Sequence, residues 1–343
     1  MKKISVFVVC IFIAIASFYL LYTRKPQKQE VKEIQEKKLP LLTYTFKNLK
    51  KTHFPSTKIT IEMKMGEKTN SFSQMFYFST PSSPDKKDML RVSGLMNLPK
   101  KKGNYPIIVM LRGFVPDDIY APGIGTQHVA ESLAEHGFIT LAPDFLGFGE
   151  SAPPSSDPFE ARFQTYTTAL TLLSSLSTLN EALDASYSGT IQANTNNIGI
   201  WGHSNGGHIA LSLLAISGRS YPTVLWAPVS KTFPYSILFY TDESDDHGKA
   251  LRKALSNFEV DYDTEAFSPS MYYGWIKAPL SIHQGDVDDA VPKEWSDELV
   301  SNLEKNKIDV IYHTYHADHN MLPSSWSQAV GKSISFYDAN FKN

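Results

Sequence analysis

Residues 197–216 constrain this chain more than any other stretch. Asn197-Ile198-Gly199-Ile200-Trp201 reads as a short strand, Gly202-His203-Ser204-Asn205-Gly206 follows at once, and His208 to Ile216 continues with a helical period closed by Gly218. A strand that turns into a helix within one G-x-S-x-G pentapeptide needs glycine on both sides of the serine. The backbones pass close together there, and the serine takes strained dihedral angles. The pentapeptide alone arises by chance in roughly one chain in ten of this length, so its weight comes from the strand before it and the helix after it.

The flanking sequence repeats the same alternation. Tyr105 to Leu111 is a continuous apolar run, the mark of a strand buried on both faces, and Phe138 to Ala142, Pro222 to Trp226, Pro279 to His283 and Asp309 to Thr314 read as further strands. Thr126 to His136, Phe159 to Ala185, Lys293 to Asn306 and Ser325 to Phe341 have helical period. This order predicts an α/β fold, a mostly parallel central sheet with helices on both faces. Upstream, Leu41 to Pro99 favours strands that alternate polar and apolar residues, with a turn over Pro81 to Asp88, which suits an antiparallel start to the sheet.

Lys231 to Lys277 interrupts the alternation and reads as a small lid insertion. Its aromatic residues Phe233, Tyr235, Phe239, Tyr240, Tyr272, Tyr273 and Trp275 suit a packed cap or an apolar acyl pocket. Its acidic run, Asp242 to Asp246, suits a solvated loop.

Composition excludes other classes. Hydrophobic residues at 42% and charged residues at 20% describe a folded chain with a sizeable core. Residues 1–40 hold eight Lys or Arg against three Glu, so a net charge of -2 leaves -7 on the rest, and a mildly acidic body is a poor partner for nucleic acid. Cys10 is the only cysteine, which excludes an intrachain disulfide and any Cys-ligated metal centre.

Cys10 lies in Ile4 to Tyr22, 19 residues without a charge. That length suits either a retained membrane anchor within residues 1–25 or a signal peptide cleaved after Ala16. More Lys and Arg follow the segment than precede it, which by itself keeps the body in the cytoplasm, but Lys2-Lys3 before an apolar run resembles an export signal, and an extracytoplasmic body is expected. Residues 26–40 read as a polar linker and 41–343 as the folded domain.

A serine hydroxyl attacks only when a base takes its proton and a carboxylate orients that base. After the strand Pro279 to His283 come Asp286, Asp288 and Asp289, and after the last strand come His316 and His319. The order Ser, Asp, His is that of the α/β hydrolases.

The chain resembles the α/β-hydrolase superfamily over about residues 55 to 340, and within it most resembles the catalytic domain of the prolyl oligopeptidase family. The matching segments are Val92 to Pro99, Leu111-Arg112-Gly113-Phe114, Gly202 to Gly207, Lys277-Ala278-Pro279-Leu280, Gly285 to Val291, and His319. Dienelactone-hydrolase-like and other carboxylesterases share most of them. The resemblance implies Ser204 as nucleophile and His319 as general base and acid. Asp288 becomes the orienting carboxylate, three residues after Gly285, with Asp289 and Asp286 as rivals. It also places the two oxyanion donors at the backbone N–H groups of Phe114 and Asn205. Many relatives carry His where Arg112 stands, which leaves Arg112 to support the loop, contact substrate or lie on the surface.

The implied activity is acyl transfer to water on short peptides or small esters, by a serine peptidase or a carboxylesterase, with a non-catalytic binding protein as the remote alternative. Leu41 to Asn104 is too short for the propeller that restricts access in full-length prolyl oligopeptidases. No cofactor is implied, since neither G-x-x-x-x-G-K-[ST] nor a strand-linked G-x-G-x-x-G occurs. His313, His316, His319 and Asp318 are metal-ligand types, but His313 belongs to the last strand and His319 to the loop beyond it, so no metal site is expected. His203 and His208 are expected to pack or hydrogen-bond rather than catalyse.

Overall fold

The structure, a computed structural model, describes residues 37–241 and 246–341. The apolar segment within residues 1–25, residues 26–36 of the linker and most of the acidic run lie outside the described residues. Among the described residues no helix is long and apolar enough to cross a membrane.

The sheet is built from β1 (Thr60–Glu67), β2 (Ser71–Pro81), β3 (Met89–Pro99), β4 (Gly103–Leu111), β5 (Ile139–Pro143), β6 (Ile191–His203), β7 (Thr223–Trp226), β8 (Leu280–Gly285) and β9 (Val310–Tyr315). Their spatial order is β1-β2-β3-β5-β4-β6-β7-β8-β9. The pairs up to β3–β5 are antiparallel and all those from β5 to β9 are parallel, as the pattern predicts.

Successive residues of a strand face opposite sides of the sheet, and the two cores follow that alternation. Ile107, Val109 and Leu111 of β4 enter one core, together with Ile200, Leu225, Leu280 and Ile282. Ile108 and Met110 enter the other, with Trp201, Val224 and Trp226. The first face is covered by α3 (Pro158–Ser175), α4 (Leu179–Tyr187), α5 (Asn205–Ser217) and α6 (Lys293–Lys305). The second is covered by α2 (Gln127–Glu135) and α7 (Trp326–Asn340).

Three stretches depart from the sequence reading. Pro40–Tyr44 is a 3-10 turn and Phe46–Leu49 a helical turn, α1, where strands are expected. Leu41, Tyr44, Phe46 and Leu49 are all buried, and Phe46 stacks on Tyr272 with ring centroids 5.1 Å apart, so tertiary packing overrides a weak local preference. The long helical stretch Phe159 to Ala185 is two helices joined by the 3-10 turn Leu176–Thr178. Asp157 caps the first of them by accepting from the Phe159 and Glu160 N–H groups. The strand expected at Asn197 to Trp201 begins earlier, at Ile191, because Gly103 to Pro106 supplies pairing partners for Ile191 to Asn194.

Candidate active site

Ser204 sits where β6 gives way to α5, with φ 56° and ψ -121°. A positive φ in a non-glycine residue is strained and persists only where the surroundings fix it. Here the Ser204 N–H donates to the Trp226 carbonyl at 3.0 Å, and the Ser204 carbonyl accepts from Gly207 at 2.9 Å and Val229 at 3.0 Å. The flanking glycines are required by contact. A Cβ on Gly202 would lie 2.6 Å from the Gly206 carbonyl oxygen, and one on Gly206 would lie 1.9 Å from that of Leu111.

Asp288 follows β8 and His319 follows β9, so neighbouring parallel strands deliver both to the carboxyl edge of the sheet beside Ser204. His319 Nδ1 lies 2.9 Å from Asp288 Oδ2 and 3.1 Å from Oδ1. A carboxylate only accepts, so Nδ1 carries a proton, and in the neutral ring Nε2 is the nitrogen with the free lone pair. The Asp288 side chain is fully buried. Burial alone raises its pKa, but the hydrogen bond and charge of His319 and the N–H groups of Val291 and Ala290 outweigh that and hold it below the usual carboxylate value. Gln284 Nε2 donates to Oδ2 as well, at 3.0 Å. Of the rival acids, Asp286 is exposed and pairs with His316 at 3.0 Å, and Asp289 is exposed.

His203 Nε2–H donates to the His319 carbonyl at 3.0 Å, and the two rings lie 4.6 Å apart. The residue before Ser204 therefore holds the backbone of His319. Burial, reinforced by His319, pushes the His203 pKa down to about 4, so it stays neutral near pH 7. Sequence reasoning placed His203 among hydrogen-bonding residues, but its partner depends on where the loop after β9 returns.

The turn after β4 lies against Ser204, since a Cβ on Gly113 would fall 2.9 Å from Ser204 Cβ and 3.4 Å from Oγ. Arg112 is neither a surface residue nor free to reach substrate. It is buried, with NH1 donating to the Gly113 carbonyl at 3.0 Å and NH2 to the Asp144 carbonyl at 3.2 Å, and its guanidinium lies 4.1 Å from the Phe148 ring centroid and 4.8 Å from that of Tyr120. The Gly113 carbonyl and the Phe114 N–H belong to one planar peptide, so a donor fixed on the carbonyl also fixes the direction of that N–H. Asp144, which accepts from Ser93 at 2.5 Å and Tyr120 at 2.6 Å, ties the turn to the loop after β5, and sequence reasoning missed it. Asn205 is the first residue of α5, so its N–H is one of those that have no partner within the helix.

The insertion divides in two. Phe233, Phe258 and Phe267 are buried against Phe159 and Phe163 of α3 as a packed cap, whereas Tyr235 and Phe239 stay exposed. Asp246 accepts from the Gly248 and Ala250 N–H groups at 2.8 and 2.7 Å, a loop-capping role. The histidines near the last strand go to different partners, His313 to Lys332, His316 to Asp286 and His319 to Asp288. Among the described residues no group of three or more His, Cys, Asp or Glu is placed to hold a metal ion.

A strained serine at a strand–helix elbow, beside an imidazole oriented by a buried carboxylate, is equipped for nucleophilic acyl transfer. The sheet that carries it has the α/β-hydrolase fold. The family model for chlorophyllase matches residues 64–223, just under half of the chain, which includes the elbow and the turn after β4 but neither Asp288 nor His319. No curated protein matches the chain significantly.

Solved structures share the fold at low identity. An acetyl xylan esterase from Paenibacillus sp. R4 superposes with a TM-score of 0.55 at 16% identity, covering 84% of this chain and 91% of that one. Acetyl xylan esterase 1 from Thermoanaerobacterium sp. JW/SL YS485 gives 0.52 at 14% identity, covering 87% and 93%. Dipeptidyl peptidase 4 of Porphyromonas gingivalis gives 0.53 at 15% identity, covering 80% of this chain but 36% of that one.

Proposed function

We propose that this protein hydrolyses small carboxylic esters through an acyl-enzyme on Ser204, without a cofactor. The observation that carries the reading is the hydrogen bond from His319 to the buried Asp288 carboxylate, with the His319 backbone held by His203, the residue before the strained serine. His319 Nε2 takes the Ser204 hydroxyl proton as Oγ attacks the substrate carbonyl carbon, and the carbonyl electron pair moves onto oxygen. That oxyanion accepts from the N–H groups of Asn205 and Phe114. When the tetrahedral intermediate collapses, the bond to the alkoxy group breaks and His319 returns the proton to it. Water then repeats the sequence on the acyl-enzyme, and the acid leaves with Ser204 restored.

Ester chemistry is also what the names of the two acetyl xylan esterases describe. A peptidase reading, of the prolyl oligopeptidase kind, is supported by the fold shared with the dipeptidyl peptidase, of which this chain covers 36%. It predicts turnover of short unblocked peptides by the same steps.

A fluorophosphonate probe is expected to label the protein and not Ser204→Ala. Equal labelling of both would place the nucleophile elsewhere. Arg112→Met keeps much of the side-chain volume but removes the donors to the Gly113 and Asp144 carbonyls. Because the Phe114 donor would be misaligned rather than deleted, kcat on p-nitrophenyl acetate is expected to fall by about ten- to a hundredfold with little change in KM. An unchanged kcat in a folded variant would remove Arg112 from oxyanion positioning.

A further inference from the structure

We propose that Tyr235 and Phe239, standing on Trp295, form an apolar subsite that receives the hydrocarbon part of the ester. The inference rests on Ser204 being the nucleophile, as above. Val229, just past β7, donates its N–H to the Ser204 carbonyl at 3.0 Å, and Val291 donates its own to Asp288 Oδ1 at 2.8 Å. Both valines are buried in one small cluster with Trp295, the residue whose carbonyl is held by Ser230 Oγ at 2.8 Å. The backbones carrying nucleophile and acid therefore share an aromatic floor.

The rings of Tyr235 and Phe239 pack on that floor at centroid distances of 6.0 and 4.8 Å, yet remain 50% and 39% exposed. Their exposure is not a general property of the insertion, because Phe233 and Phe267 in the same segment are fully buried. Next to the nucleophile, the turn that touches Ser204 through Gly113 presents Phe114 at 80% exposure. Exposed apolar rings on the cluster whose valines hold the Ser204 carbonyl and the Asp288 carboxylate favour a ligand that removes them from water, and a strongly hydrated group gains nothing from them. The occupant is thus the alkyl or aryl portion of an uncharged ester. The acyl and alkoxy sides of such an ester share this chemistry, and the experiment has an arm for each.

One arm measures kcat/KM for p-nitrophenyl esters from acetate to hexanoate, the other for alkyl acetates from methyl to pentyl, with the intact protein and with Tyr235→Ala/Phe239→Ala. Fully buried methylenes raise kcat/KM by about fourfold each, so partial burial is expected to give a rise of at least about tenfold across one series. That rise is expected to shrink to less than about threefold in the double variant, and the arm that shows it names the group bound. No rise in either arm, or a rise the double variant keeps, overturns the subsite while Ser204 still takes the fluorophosphonate. Loss of labelling in the intact protein instead defeats the hydrolase reading and the subsite with it.

Discussion

Asp288→Asn is expected to lower kcat on p-nitrophenyl acetate by about three to four powers of ten, with the fold retained. The side chain keeps its shape, and its oxygen still accepts from Val291 and Ala290. The amide nitrogen turned toward His319 Nδ1 is a donor, however, so the imidazole must present a lone pair there and carry its proton on Nε2. That tautomer cannot take the Ser204 proton, and the negative charge that stabilises the imidazolium is gone as well. Asp289→Asn, on an exposed side chain, is expected to change kcat by less than about twofold. Matched thermal melts separate catalysis from folding. The opposite ranking of the two variants would move the role to Asp289.

The contrast between these neighbouring acids marks how far the sequence is legible. The parallel strands can be read because burial on both faces makes them continuous apolar runs, and β4 feeds alternate residues into two separate cores. The elbow can be read because its glycines answer to contacts within a few residues of the serine. Asp288 can be named only through family resemblance, since nothing local separates it from Asp289 until the loop after β9 brings His319 to one of them.

Residues whose role depends on two distant loops meeting are the hardest to read. Arg112 looks like a surface arginine beside a glycine, but the loop after β5 returns to give it the Asp144 carbonyl and the ring of Phe148. The turns at Pro40–Leu49 fail for the same reason. Their apolar residues have no clear helical period, and packing of Phe46 on Tyr272 decides their conformation.

Acid is expected to destabilise this fold well before the carboxylates titrate, because three buried histidines are kept neutral. His203 is driven to about 4 by burial and by His319; His208 is driven well below its ordinary value by burial and by Arg162; His283 is driven well below by burial and by His313 and Lys332. Each has a buried or part-buried hydrogen bond that suits the neutral ring: His203 to the His319 carbonyl, His208 to the Val229 carbonyl and Tyr166, His283 to Ser281 and Tyr315.

Folded values lie below the unfolded value of about 6.5, so below that pH the unfolded chain binds protons that the native chain refuses. The stability is fully present above about pH 6.5 and is lost as pH falls toward the folded values, near 4 for His203. That residue alone accounts for roughly 3 kcal/mol across the window, and three such groups give a limiting slope of about 4 kcal/mol per pH unit. Asp288, whose pKa is lowered, adds its own loss only at still lower pH. Urea unfolding midpoints are expected to fall steadily from pH 6.5 to 4.5, and His208→Gln, which still offers a donor and an acceptor, is expected to remove about a third of that slope whatever it does to stability at pH 7. A midpoint that stays level across this range would mean that the buried rings accept protons in the native state, and the neutral clamp from His203 to His319 would fall with it.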